Sequence, residues 1–204
     1  IFIGQTKIII MTTDNMRIVE EAKKPLSMNP KKFGMWLFLA TVIMIFASLT
    51  SAYIVRRADG NWKLFELPSL FYWTSGIIIL SSVSMQLAYY DFKKLNTGRV
   101  KFWISATVVL GLVFLLGQFY AWKQLVQSDV YFVGNPSESF VYVLSGLHGL
   151  HLVSALIFLL IVWRAVNKGL TPLKGQTQIE MCVTYWHFLG GLWLYLFAFL
   201  SLYR

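Results

Sequence analysis

Long segments without a single Lys, Arg, Asp or Glu alternate with short charged ones along the chain. Five such runs cover 33–55, 68–90, 102–122, 139–163 and 181–203, and hold 23, 23, 21, 25 and 23 residues. A helix rises about 1.5 Å per residue, so about 20 residues cross a hydrocarbon core ~30 Å thick. The pattern predicts an all-α, polytopic membrane protein with five transmembrane helices. Residues 1–32 read as a polar N-terminal arm ahead of a transmembrane bundle over 33–204, with no further domain. Four of the five prolines (25, 30, 136, 172) lie outside the runs and Pro68 is the first residue of the second, so none interrupts a run. Pro68 is placed to open the second helix, and Asn135-Pro136 to break the chain before the fourth. The link between the fourth and fifth runs is short, so those two helices are expected to be antiparallel neighbours.

Within the runs, small and polar residues mark the faces expected to meet other helices. The first carries Gly34, Thr41 and Ser48 at seven-residue spacing, widened by Ala40 and Ala47, a stripe that permits close helix contact. Ser75, Ser81, Ser82 and Gln86 make part of the second helix polar. Gly111, Gly117 and Gln118 fall in the third. Ser145, Gly146, His148, Gly149, His151 and Ser154 fall in the fourth.

Composition agrees with the pattern: 57% hydrophobic and 17% aromatic residues against 13% charged exclude an ordinary soluble domain. A net charge of +9 raises the question of nucleic acid, but in a membrane protein the placement of Lys and Arg is the better guide, because basic loops stay cytoplasmic. One side takes Lys7, Arg17, Lys23, Lys24, Lys31 and Lys32, then Lys93, Lys94, Arg99 and Lys101, then Arg164, Lys168 and Lys174. The other takes Arg56, Arg57, Lys63, Lys123 and Arg204. The N-terminus is therefore expected in the cytoplasm and the C-terminus outside. Cys182 is the single cysteine, which leaves no internal disulfide or thiolate cluster and reads as a small buried residue. No signal peptide stands out in the first ten residues. Residue 1 is not Met, so a start upstream or at Met11 stays open.

The candidate chemistry concentrates in E-M-C-V-T-Y-W-H-F-L-G-G-L-W, residues 180–193, which sets Glu180, Thr184 and His187 on one helical face. Ionisable groups are costly in a bilayer and usually face other helices or a cavity, so the fifth helix is expected to be packed and inward-facing. His148, His151 and His187 all lie in runs and invite a haem or metal reading. With the fourth helix running inward, His151 falls roughly 20 Å from the cytoplasmic end of its run and His187 about 9 Å in, a poor match for two axial ligands at one depth. Zinc wants three or four ligands, and the i, i+3 pair supplies two. Hydrogen-bonded packing, headgroup or subunit contact, and a redox centre all remain as readings of the histidines. Glu180 suits the start of its helix, where a carboxylate is favoured. Its functional alternative is to hold His187 or Thr184, or to meet a headgroup or partner subunit. Trp186 and Trp193 read as packing and interface aromatics. A membrane-embedded b-type cytochrome and a small transporter are the other classes to weigh; the latter would want broken helices and inverted repeats, which an odd helix count with no intramembrane proline does not offer.

Four passages resemble subunit III of the haem–copper respiratory oxidases in its short, five-helix bacterial form: G-M-W-L-F-L-A at 34–40, L-P-S-L-F-Y-W-T-S-G-I-I-I-L-S-S at 67–82, G-L-H-G-L-H at 146–151 and Y-W-H-F at 185–188 with Trp193 following. The last two are the most specific, and the resemblance covers roughly 32–204. It implies a non-redox accessory subunit of a cytochrome c or quinol oxidase that reduces O2 to water and translocates protons. Such a subunit packs against subunit I, with subunit II and further oxidase subunits as partners. A larger supercomplex is left open. Haem and copper are then expected in subunits I and II, and none in this chain, which would hold phospholipid in the bacterial cytoplasmic membrane. His148, His151, Glu180, Thr184, Trp186, His187 and Trp193 become lipid-binding or structural polar positions, with no catalytic or metal-binding residue. Family carboxylates are replaced by Val42, Ala121 and Gly190, and the family Asn by Trp73. A proton-delivery role through those carboxylates is not expected of this chain.

Overall fold

The computed structural model describes residues 29–58, 60, 62, 68–169 and 172–203; most of the expected N-terminal arm, 1–28, lies outside them. Those residues form five helices, α1 (Pro30–Ala58), α2 (Leu70–Lys93), α3 (Thr97–Gln127), α4 (Pro136–Asn167) and α5 (Pro172–Tyr203), and no strand. Each is long and apolar enough to cross a membrane. The described residues are thus those of a multi-pass membrane protein, as the charge pattern predicts.

Local sequence sets the helix boundaries. Pro68 lies just ahead of α2, where its carbonyl accepts from Phe71 N at 3.0 Å. Asn135-Pro136 is more than a breaker: the Asn135 side chain accepts from Ser137 N at 3.1 Å while Pro136 occupies the first turn, so together they start α4. Between α2 and α3 the chain turns within three residues, with Leu95 in the left-handed region at φ 61° and Asn96 N donating to Asp91 O at 3.1 Å.

Helices α2, α3, α4 and α5 close a four-membered ring, each packed on the next and α5 back on α2, while α1 lies outside it against α4 and α5 and makes no packing contact with α2. Helices α4 and α5 are the expected antiparallel neighbours. Helix α1 runs parallel to α5: Lys32 meets Glu180, Phe38 meets Tyr185, Thr50 meets Tyr195 and Tyr53 meets Phe199. It offers the bundle Leu39, Val42, Phe46, Thr50 and Tyr53.

The stripe of Gly34, Thr41 and Ser48 does not join α1 to the bundle. All three residues are exposed, as are Ala40 and Ala47, and a Cβ at Gly34 would meet nothing within 4 Å. The hydroxyls can face outward because they are satisfied locally: Thr41 donates to Phe38 O and Ser48 to Ile45 O. Large apolar side chains hold α1 instead. The close approaches occur at Gly111, where a Cβ would lie 2.7 Å from Trp186, and at Gly117, where it would lie 2.5 Å from Thr74.

Candidate functional site around helix α5

Tryptophans and small hydroxyls on neighbouring helices make the bundle specific. Trp186 Nε1 donates to Ser81 Oγ at 2.9 Å and Trp193 Nε1 to Ser75 Oγ at 3.0 Å, fastening α5 to α2 at two levels. Trp122 reaches Ser145, and Trp163 reaches Ser105, fastening α3 to α4. An indole places a large apolar body in the core while its single N–H finds an acceptor, and a serine on the facing helix supplies one without bulk. Trp186 and Trp193 are each 1% exposed, so of the packing and interface roles they take the first. Their partners were visible as a polar surface on α2. The pairing was not, because it depends on antiparallel register.

Glu180 stands at the Lys32 end of the bundle, where three helices meet. Its Oε2 accepts from Lys32 Nζ at 2.7 Å, and its Oε1 from Gln176 Nε2 at 2.8 Å and from Tyr89 Oη at 3.1 Å. One carboxylate thereby ties α1, α5 and α2, and Lys93 lies over the Tyr89 ring, 4.4 Å from its centroid. Neither His187 nor Thr184 is held by that carboxylate. Thr184 Oγ1 donates to the Glu180 backbone carbonyl at 2.9 Å, and His187 Nε2 lies 3.0 Å from Gln86 Oε1. The shared face of 180, 184 and 187 is real as helix geometry, but its members turn to different partners. Lys32 and Gln176 carried some signal as charge and i, i+4 spacing; Tyr89 carried none.

The three histidines do not converge. His148 is fully buried among Trp193 and Phe114, with centroid distances of 5.2 and 6.0 Å. Neither of its ring nitrogens has a protein hydrogen-bond partner among the described residues, so here packing comes without the expected hydrogen bond. His151 lies against Phe38 and Phe46 of α1, with Nδ1 2.7 Å from Leu147 O. Its backbone carbonyl accepts from the Tyr185 hydroxyl, two residues from His187 on α5. The expected separation in depth is therefore not found; direction separates His151 from His187, since one turns to α1 and the other to α2. The edges of charge-free runs are a poor common zero for depth, because α4 continues to Asn167 and α5 begins at Pro172. Among the described residues no group of three or more His, Cys, Asp or Glu is placed to hold a metal ion. Cys182 is buried.

Beside His187 an apolar groove of about 380 Å³ runs between α2 and α5, lined by Ile78, Ile79, Ser82, Val83, Gln86, His187, Gly190, Gly191 and Leu194. Gly190 lets α5 approach Ser82, where a Cβ would lie 3.0 Å from the hydroxyl; at Gly191 a Cβ would meet nothing within 4 Å. Val42 and Ala121 are 1% and 0% exposed, and Gly190 is buried.

The family model described as Cytochrome c oxidase subunit III matches residues 13–204. "Cytochrome c oxidase subunit 3" of Bacillus sp. (strain PS3) is 28% identical over 194 residues, covering 92% of this chain and 93% of that protein. The protein of that name from Corynebacterium diphtheriae is 31% identical over 83% of this chain and 86% of its own length. "Cytochrome bo(3) ubiquinol oxidase subunit 3" of Buchnera aphidicola is 30% identical over 85% of this chain and 94% of its own length.

Proposed function

The chain belongs to the cytochrome c oxidase subunit III family of haem–copper terminal oxidases, and from that premise we propose that it is a non-redox accessory subunit that packs on subunit I and holds phospholipid. The observation that supports this is where the polar groups of the bundle are spent. Glu180 is engaged by Lys32, Gln176 and Tyr89, while Trp186 and Trp193 donate to serines. His148, His151 and His187 face separate helices. Such a set assembles helices and leaves electron transfer to haem and copper in subunits I and II.

The groove at Gly190 and Gly191 suits an acyl chain. It is apolar along most of its length, and Gln86 and His187 satisfy each other at one end. His187 is a structural polar group lining that groove, and Glu180 and Thr184 are structural polar groups elsewhere on α5. The Lys32 end of the bundle lies on the cytoplasmic face of a bacterial inner membrane, following the bias of Lys and Arg. With Val42, Ala121 and Gly190 in place of carboxylates, proton supply is the work of other subunits.

Stripping this chain from the assembled oxidase with detergent tests the reading. The remainder is expected to keep its haem spectrum and initial oxygen consumption, to lose activity over fewer turnovers, and to release phospholipid with the stripped chain. Haem absorbance that leaves with the stripped chain would overturn the proposal. So would a stripped chain free of phospholipid.

A further inference from the structure

A second cleft, of about 460 Å³, opens where α2 turns into α3, remote in sequence from the α5 residues described above, and is lined by Leu87, Asp91, Gly98, Arg99, Phe102 and Trp103. We propose that it binds the headgroup of an aminophospholipid, with the phosphate on Arg99 and the primary ammonium on Asp91. The inference does not rest on the oxidase reading; it needs only a chain that spans a bilayer.

The turn builds the site. Leu95 in the left-handed region and the Asn96 N to Asp91 O bond bring the last turn of α2 beside the first turn of α3, which puts Asp91 and Arg99 on one cleft. The Asp91 carboxylate is held in place, because Trp103 Nε1 donates to its Oδ2 at 3.1 Å, and Oδ1 stays open to a second donor. Arg99 is exposed, and among the described residues no ion pair joins it to Asp91. A Cβ at Gly98 would meet nothing within 4 Å, so the approach to both groups is clear.

Depth and charge select the ligand. The cleft sits where the charge-free runs end, at Tyr90 and Phe102, and Lys93, Lys94 and Lys101 mark the same level, the level of headgroups. Leu87 and Phe102, 36% and 65% exposed, continue toward the hydrocarbon and offer an apolar wall to acyl chains. A headgroup bearing only negative charge would meet Asp91 as a like charge, and a simple cation would meet Arg99. A phosphate joined to a primary ammonium by a short linker satisfies both. A quaternary ammonium does not, because it has no N–H to donate to the open Asp91 oxygen.

The test uses the full chain purified in its membrane complex, titrated with phosphatidylethanolamine, phosphatidylcholine and phosphatidylglycerol of matched acyl chains and followed by native mass spectrometry. Asp91→Asn keeps an acceptor for Trp103, so the fold is kept. It is expected to weaken one phosphatidylethanolamine by about tenfold, the loss of one charge-assisted hydrogen bond, and to leave phosphatidylglycerol unweakened. Arg99→Gln is expected to weaken both lipids, and Asp91→Glu to restore the ethanolamine preference. The proposal is overturned if Asp91→Asn binds phosphatidylethanolamine as tightly as the unaltered chain does. It is equally overturned if phosphatidylcholine competes as well as phosphatidylethanolamine.

Discussion

Gly111→Ala probes the point where Trp186 of α5 reaches across the ring to α3. The new Cβ would sit 2.7 Å from Trp186 Cη2, 3.2 Å from Trp186 Cζ2 and 3.0 Å from Leu156 Cδ2, whereas non-bonded carbons prefer about 3.5–4.0 Å. Trp186 has nowhere to retreat: it is 1% exposed, and its N–H is fastened to Ser81. Either α3 moves out, an overpacking that costs about 1–3 kcal/mol, or the indole bond breaks, which costs about 0.6–1.7 kcal/mol in a membrane interior. Replacing glycine in a helix returns up to about 1 kcal/mol, so the net loss is about 0–2 kcal/mol. Gly149→Ala isolates that propensity gain, because its Cβ meets nothing within 4 Å. The assay is reversible unfolding of the purified chain in mixed micelles, followed by far-UV circular dichroism. Trp186→Phe removes the two indole atoms that collide and leaves only the Leu156 contact, so adding Gly111→Ala to it should cost less than it does in the unaltered chain. The reasoning fails if Gly111→Ala is as stable as Gly149→Ala, or if its penalty is unchanged when Trp186→Phe is already in place.

Two further substitutions bear on the polar core. Glu180→Gln keeps acceptor geometry but removes the charge that Lys32 pairs with; α1 touches α2 only through this node, so amide exchange in the first two turns of α1 is expected to speed up while α2 to α4 stay protected, and unchanged exchange would contradict the assignment. His148→Phe exchanges a buried ring without protein hydrogen-bond partners for an apolar one among Phe114 and Trp193, and is expected to be neutral or to stabilise by on the order of 1 kcal/mol in the same unfolding assay; a loss of about 2 kcal/mol or more would mean that the imidazole is bonded after all.

The five helices were legible because a bilayer imposes one rule, length without charge, and that rule leaves its mark residue by residue. The inward-facing character of α5 was legible for the same reason: Glu180 and His187 are too costly to turn toward lipid. Partner choice was not. Whether a polar side chain meets its own backbone, as Thr41, Ser48 and Thr184 do, crosses to another helix, as Ser81 and Gln86 do, or does both, as Ser75 does, depends on helix rotation and register. Sequence spacing along a single helix carries neither. The stripe of Gly34, Thr41 and Ser48 shows the consequence, since small residues permit a close contact without requiring one. The histidine depths erred in a related way: helix ends extend past the charge-free runs by different amounts, which shifts the zero of each helix.

Membership of a terminal oxidase is the claim on which the functional account stands, and its most direct test is a metal count. A tagged chain captured from mildly solubilised membranes is expected to bring haem and copper in fixed ratio to itself, together with oxygen-reducing activity. All of the haem and copper should partition with the partner subunits once the complex is dissociated. Capture of the chain in an assembly without haem and copper, or a haem that stays on the isolated chain, would contradict the account.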